Sequence, residues 1–338
     1  MLRAAVLLLG LLAMAAPARA EDVAIKDWWV ACDNVRVCTA YGFPPEDAYG
    51  VVLRVRREAE AEAAAELDLG IDAETAKGVS GPLTLSIDGK VVTRTEAPEG
   101  AADEYRTWSI SPAKTPALLA AMARGDALEA KDGQRTVVTV SLAGASASLR
   151  WMDDRQLRAG GVTALVAKGA TPASVVPAPP VAPLIRAAKP VSQDGLTDIP
   201  PPAVLARIKP LDCQADAPED PSSNRLAPGV VLWVIPCWVG AYQISSALVL
   251  ADEKGGHVRL ADLGGDGGPD DRATATNANY DTDHQKLYTY AKGRGLADCG
   301  QATTYAWTGK AFILTERAEL QICRGLPEDY WVTMFRSR

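Results

Sequence analysis

Along residues 49–57 apolar and polar positions alternate, with Val51, Leu53 and Val55 on one side and Arg54 and Arg56 on the other. A period of two marks a half-buried strand with one apolar and one cationic face. Upstream, Trp28-Trp29-Val30-Ala31-Cys32 reads as an apolar strand. Residues 58–69 are in conflict: their Ala and Glu content favours helix, yet Leu67, Leu69 and Ile71 keep the strand alternation. A loop followed by a strand is expected there. Leu83, Leu85 and Ile87 lead into Asp88-Gly89 and then Val91 to give the strongest hairpin signal in the chain, and a second hairpin over 128–140 turns at Asp132-Gly133. Thr115-Pro116 offers an N-cap followed by proline, Leu118, Leu119 and Met122 form an apolar face, and Gly125 is a terminator. Together they predict a helix of about three turns. Leu142, Ala145, Leu149 and Met152 recur at helical spacing, which predicts a helix over 141–157. The first half is therefore expected to be α+β, an antiparallel sheet with one or two helices.

Residues 169–190 then carry Pro172, Pro177, Pro179, Pro180, Pro183 and Pro190 without one acidic residue. Such a run makes an extended, semi-rigid spacer, with capture by a proline-binding partner as the alternative. Beyond it come a short helix over 202–208 and strands at 230–235, 242–250, 258–260, 286–290, 303–307, 311–316 and 331–335, with Thr308-Gly309 as a tight turn. Short strands at this spacing indicate a mostly antiparallel all-β domain, a sandwich or a barrel. The expected organisation is a signal peptide (1–20), an α+β domain (21–168), a proline-rich linker (169–201) and an all-β domain (202–338).

Arg3, the apolar run 4–16 and Ala18-Arg19-Ala20 have the layout of a cleaved secretory signal. No other stretch is long and apolar enough to span a bilayer, so an exported, periplasmic protein of a Gram-negative bacterium is expected. Removing twenty of the 338 residues leaves 318, comfortable for two domains, and moves the formal charge from −7 to −9 because Arg3 and Arg19 are lost. An acidic chain is poorly suited to nucleic acid or an anionic membrane. The six cysteines, with no odd thiol, read as a disulfide framework. Proximity suggests Cys32–Cys38, and equal separations suggest Cys213–Cys237 and Cys299–Cys323. No C-x-x-C occurs, which disfavours zinc and thioredoxin-like chemistry.

The chain carries no G-x-S-x-G elbow, H-E-x-x-H, Walker loop, dinucleotide fingerprint or complete EF-hand loop. No cofactor is expected and no catalytic residue is assigned. His257 and His284 are the available imidazoles. Adjacent acids at Glu46-Asp47, Asp103-Glu104, Asp153-Asp154, Asp270-Asp271 and Glu328-Asp329 read mostly as solvated loop charges, since glycosidase chemistry needs carboxyls facing across a sugar. Asp262, Asp266, Asp270 and Asp271 share a glycine-rich loop able to wrap calcium, against the alternative of a mobile turn. Of the eight tryptophans, Trp28, Trp29, Trp233 and Trp331 lie in apolar contexts and are expected in the core, with Trp238 packed on a disulfide; a sugar-binding platform would need some exposed.

Lys26-Asp27-Trp28, Cys32-Asp33-Asn34, Arg36, Cys38 and Ala40 open the chain; Leu149, Met152-Asp153-Asp154 and Gln156 follow on a helix; Gly293 to Gly300 precedes Trp307, Gly309 and Phe312. Over nearly the whole mature chain this set resembles the exported proteobacterial proteins grouped as domain of unknown function 1176, a resemblance that implies no activity. The first half also resembles the invasion-associated locus B proteins, with different cysteine placement. The expected function is a non-catalytic binding or interaction module of the cell envelope, its partner a periplasmic protein or a glycan. The alternatives are a cell-envelope hydrolase with a dispersed active site and a purely structural envelope protein.

Overall fold

In the computed structural model, which describes residues 20–45, 49–213, 219–240, 242–265 and 268–338, the chain consists mostly of antiparallel sheets with few helices. The expected signal segment lies outside the described residues except for Ala20. The first half runs β1 (Glu21–Ile25), β2 (Trp28–Cys32), β3 (Cys38–Gly42), β4 (Val51–Arg57), β5 (Ala65–Ile71), β6 (Thr84–Ile87), β7 (Lys90–Arg94), β8 (Arg106–Ile110), α1 (Thr115–Met122), β9 (Ala127–Asp132), β10 (Arg135–Ser141) and α2 (Ala145–Arg155). A six-stranded sheet has the order β1-β2-β3-β4-β5-β8, and a four-stranded one β10-β9-β6-β7. One cross-strand row, Val23, Val30, Ala40, Val55, Leu67 and Ile110, faces a core shared with Leu85, Leu118, Leu128 and Leu149. Because side chains alternate across a strand, the neighbouring row, Trp29, Tyr41, Arg54 and Asp68, faces the other way.

The hairpin at Asp88-Gly89 has φ of 50° and 78° at its two turn residues, the combination a right-twisted two-residue turn requires. Both helices differ from expectation at their ends. Thr115 is the first residue of α1, not its cap: Lys114 precedes it, and the Thr115 hydroxyl donates back to the Ser111 carbonyl (3.4 Å) instead of accepting from the first turn. The helix has 8 residues, nearer two turns than three. Helix α2 begins at Ala145, because Ser141 closes β10; its carbonyl accepts the Trp28 indole N–H (2.9 Å).

Asp153 on α2, read from the sequence among solvated pairs, is buried. Its carboxylate meets Arg57 Nη2 at 2.7 Å and accepts the Leu165 and Val166 N–H groups. Arg57 also donates to the Gln156 side chain (2.5 Å) and the Thr163 carbonyl (3.1 Å). Gln156 in turn donates to the Arg36 carbonyl (2.8 Å), inside the ring closed by Cys32–Cys38. Helix, sheet and disulfide ring thus share one buried polar knot.

The second half runs α3 (Pro202–Ile208), β11 (Ser222–Ala227), β12 (Val230–Gly240), β13 (Gln243–Ala251), β14 (Arg259–Leu260), β15 (Thr274–Thr276), β16 (Asn279–Asp281), β17 (Lys286–Lys292), β18 (Gly300–Trp307), β19 (Phe312–Leu320) and β20 (Val332–Arg336). Strands β11-β12-β13-β14 form one sheet, with β15 also on β13, and β16-β17-β18-β19-β20 form another. Leu232, Leu248, Leu287, Trp307 and Phe312 fill the core they share, while Val204 and Ile208 of α3 pack on Trp233 and Val249. Bridges join Cys213 to Cys237 and Cys299 to Cys323.

The proline-rich segment is tied down along the second half. Pro183 and Ile185 exchange backbone hydrogen bonds with Arg338 (2.9 and 3.0 Å), and Ala188 N–H donates to the Trp307 carbonyl (2.7 Å). Proline has no N–H to donate, so the donors are Ile185 and Ala188. Further along, the Gln193 amide both accepts from Arg225 N–H (2.7 Å) and donates to its carbonyl (3.0 Å), and Asp198 accepts Ser223 N–H (2.7 Å). These side chains occupy backbone groups on the outer edge of β11, the kind of edge that otherwise templates aggregation.

Candidate functional site

The outward row of the six-stranded sheet is covered by the last part of the chain. Trp29, Ala31, Tyr41, Phe43 and Val52 form one buried cluster with Leu320, Leu326, Tyr330, Trp331, Val332 and Met334. Polar groups fix the register of this seam. The Tyr41 hydroxyl donates to the Tyr330 carbonyl (2.6 Å), and the Tyr330 hydroxyl shares a hydrogen bond with Thr107 (2.9 Å). The Arg54 guanidinium lies 4.7 Å from the Tyr330 ring centroid while its Nε donates to Asp68 (2.8 Å). Gly70 leaves room for this packing, since a Cβ there would stand 2.5 Å from the Tyr105 hydroxyl and 2.6 Å from that of Tyr330.

The disulfide ring supplies the other end of the seam. Asp33 and Asn34 turn the chain between the two cysteines, and the Asp33 Oδ1 accepts the N–H groups of Val35 (2.9 Å) and Val37 (2.8 Å). Its Oδ2 stands 2.7 Å from Arg336 Nε. The Asn34 amide and the Arg336 backbone bond reciprocally, at 3.0 and 2.9 Å. The motif that looked like a local staple in the sequence is thus the bracket that receives β20.

Between bracket and tyrosines lies a cleft of about 230 Å³ lined by Thr39, Tyr41, Arg54, Arg56, Trp331 and Arg336, with Val37, Asp329, Val332 and Thr333 completing its wall. Burial lifts the carboxyls of Asp33 and Asp68 above the usual aspartate range, partly offset by Arg336 and Arg54 respectively. Burial also pushes Tyr330 up to about 12. Arg56 pairs with Glu58 and, at 3.2 Å, with Glu66, both at the solvent edge. The site therefore presents hydrogen-bond donors and holds its buried acids behind them.

From the sequence, Asp329 was noted only in an adjacent acid pair and Trp331 only as a core residue, while Arg54 and Arg56 stood out as the polar side of an alternating strand. The calcium-loop acids, the histidines and most of the tryptophans lie elsewhere. Asp262 accepts Gly264 N–H (2.8 Å) and faces Arg272 at 3.4 Å, and Asp271 accepts Gly268 N–H (3.0 Å). Asp270 is exposed, and Asp266 lies outside the described residues. Among the described residues, the one group of metal-ligand types that meets is Asp298, Cys299 and Cys323. Its sulfurs are joined in a disulfide and Asp298 is held by Arg294, so no thiolate is on offer. His257 and His284 are exposed, the latter 2.7 Å from Asp281. Trp28, Trp29, Trp108, Trp233, Trp307 and Trp331 are buried and Trp151 and Trp238 half-buried.

Fold and seam together define a disulfide-bonded, mostly antiparallel β protein. Among the described residues no helix is long and apolar enough to cross a membrane. The chain belongs to the family described as protein of unknown function (DUF1176), whose profile matches residues 22–338. It is 31% identical over 349 residues to the uncharacterized protein YpfG of Escherichia coli (strain K12), covering 97% of this chain and 95% of that one. The crystal structure of invasion associated protein B from Bartonella henselae aligns with a TM-score of 0.31 at 19% identity, over 40% of this chain and 99% of the other.

Proposed function

We propose that the protein is a periplasmic, non-catalytic binding module of the cell envelope, and that it meets its partner at the cleft where the 202–338 domain closes on the 21–168 domain. The observation that carries this is the state of the buried acids behind the cleft. Asp33 and Asp68 are each engaged by an arginine at 2.7–2.8 Å, whereas a general base needs its lone pair free to reach a proton. What faces the cleft is mainly guanidinium and hydroxyl donors beside the single carboxylate of Asp329, a lining suited to holding a ligand. The three disulfides fit an oxidising compartment, where such bonds persist.

The test is a photo-crosslinking residue placed at Thr333, on the cleft wall, in protein exported in its native host. A discrete adduct is expected there and not from a control at Val91, which is 70% exposed on the far hairpin. Absence of any adduct from folded, periplasmic protein at Thr333 refutes the proposal.

A further inference from the structure

We infer that the proline-rich segment is itself a docking ligand, a preformed polyproline II ridge presented to an aromatic-lined groove on a partner protein. This surface is separate from the seam cleft. Its geometry is written in the exposure pattern. From Val176 to Val191 every third residue is half-buried (Val176, Pro179, Ala182, Ile185, Ala188 and Val191), and all the others are exposed except Pro180, which is half-buried too. No helix or strand covers 177–191. A period of three without internal hydrogen bonding is that of polyproline II, which has three residues per turn. Prolines at 177, 179, 180, 183 and 190 fix φ close to this helix and bias the residue before each toward it. One row of side chains therefore faces the body, and two face outward.

The outward rows differ in chemistry. One carries Pro177, Pro180 and Pro183 and then Arg186 and Lys189; the other carries Ala178, Val181, Leu184, Ala187 and Pro190 and is apolar throughout. Val181 is 76% and Leu184 53% exposed, so an apolar row stands in water beside the proline rings. A three-rowed rod can offer a groove two rows at once, and here the third is already occupied by the body. Arg338 Nε donates to the Ala182 carbonyl (3.1 Å), Ile185 N–H to the Arg338 carbonyl (3.0 Å) and Ala188 N–H to the Trp307 carbonyl (2.7 Å). The ridge is thus held in advance in the conformation that aromatic-lined grooves recognise, which lowers the ordering cost of association. Charge narrows the partner further. Residues 169–190 hold no acid, and Arg186 and Lys189 are exposed and join no ion pair among the described residues. The groove that fits carries acids beyond its aromatic floor, where it meets the basic end of the ridge.

The test places a photo-crosslinking residue at Val181 or Leu184 in protein exported in its native host, with a control at Ile199, which is 77% exposed and off the ridge. Adducts are mapped by mass spectrometry. A discrete adduct is expected from both ridge positions and not from Ile199, and the partner residues it reaches should lie in a groove containing Trp or Tyr with Asp or Glu beside it. Pro177→Ala with Pro183→Ala, and separately Arg186→Glu with Lys189→Glu, should each lower the adduct yield about tenfold, the loss expected when contacts central to an interface are removed. All four positions are exposed, so the variants keep the fold, and their melting temperatures verify this. No adduct from folded protein, an adduct to a second copy of this chain, a mapped groove without aromatic residues, or undiminished yield in the folded variants overturns the inference. A crosslinked partner at Thr333 with none at Val181 or Leu184 removes this inference alone and leaves the role of the cleft standing.

Discussion

The knot around Asp153 yields the sharpest stability prediction. Asp153→Ala removes a carboxylate that is 1% exposed and leaves the Arg57 guanidinium, whose side chain is 0% exposed, without its counter-charge. It also orphans the N–H groups of Leu165 and Val166. Breaking a buried pair on one side costs roughly 3–5 kcal/mol, and part of the roughly 1–3 kcal/mol for an orphaned N–H is already counted in that figure. A loss of about 4 kcal/mol is therefore expected, or about 8–16 °C in melting temperature for a unit of this size. The decisive comparison is Arg57→Met with Asp153→Leu, which removes both charges and roughly keeps the volume. That double variant should melt above Asp153→Ala, because the stranded cation is gone. Differential scanning calorimetry at pH 7 reads both. A drop below about 3 °C for the single variant, or a double variant as unstable as the sum of Arg57→Met and Asp153→Leu alone, would refute the reasoning.

Other perturbations probe the rest of the molecule. Asp298 is 6% exposed, and its carboxyl is held below the usual range, chiefly by its bond to Arg294. A depressed acid contributes stability that is present above the unfolded value of 3.8 and lost as pH falls through the folded value. Asp298→Asn should thus lower the midpoint of urea unfolding at pH 7, and the gap from the parent should narrow below pH 3.8; a gap independent of pH would contradict this. Replacing Cys213 and Cys237 by serine opens a ring spanning a separation of 24 residues, and chain entropy sets the loss at about 3.5 kcal/mol, measurable by denaturant titration. Gly70→Ala would drive a methyl into the hydroxyls of Tyr105 and Tyr330; limited proteolysis should then cut the seam segment 320–336 faster than in the parent. Gln193→Ala with Asp198→Ala uncovers the edge of β11, and light scattering at high protein concentration should detect association that the parent lacks.

Much of the sheet architecture was legible because its physics is local. The alternation of Val51, Leu53 and Val55 with Arg54 and Arg56 specified both faces of β4, and Asp88-Gly89 specified its hairpin. Strands β1, β3, β8, β11, β15 and β16 were missed: all are short, at three to six residues, and carry polar or small residues that blur the alternation, so their partners are what make them strands. Asp153 was misjudged for want of a signal that was present, since it stands four residues after Leu149 and one after Met152, on the buried side of α2. The cleft was not legible at all. Asp33 and Arg336 are about 300 positions apart, and no local pattern ties the turn of the first disulfide ring to the last strand.

That separation has a consequence for synthesis. At roughly 5–20 residues per second on the ribosome, about 15–60 s pass between the emergence of Asn34 and that of the strand it brackets. Trp29, Tyr41 and Phe43, with exposures of 2%, 1% and 2% in the finished protein, have nothing to cover them during that interval. The nascent chain consequently spends its early life displaying an aromatic surface that belongs inside, an aggregation hazard that ends only when the last strand covers it.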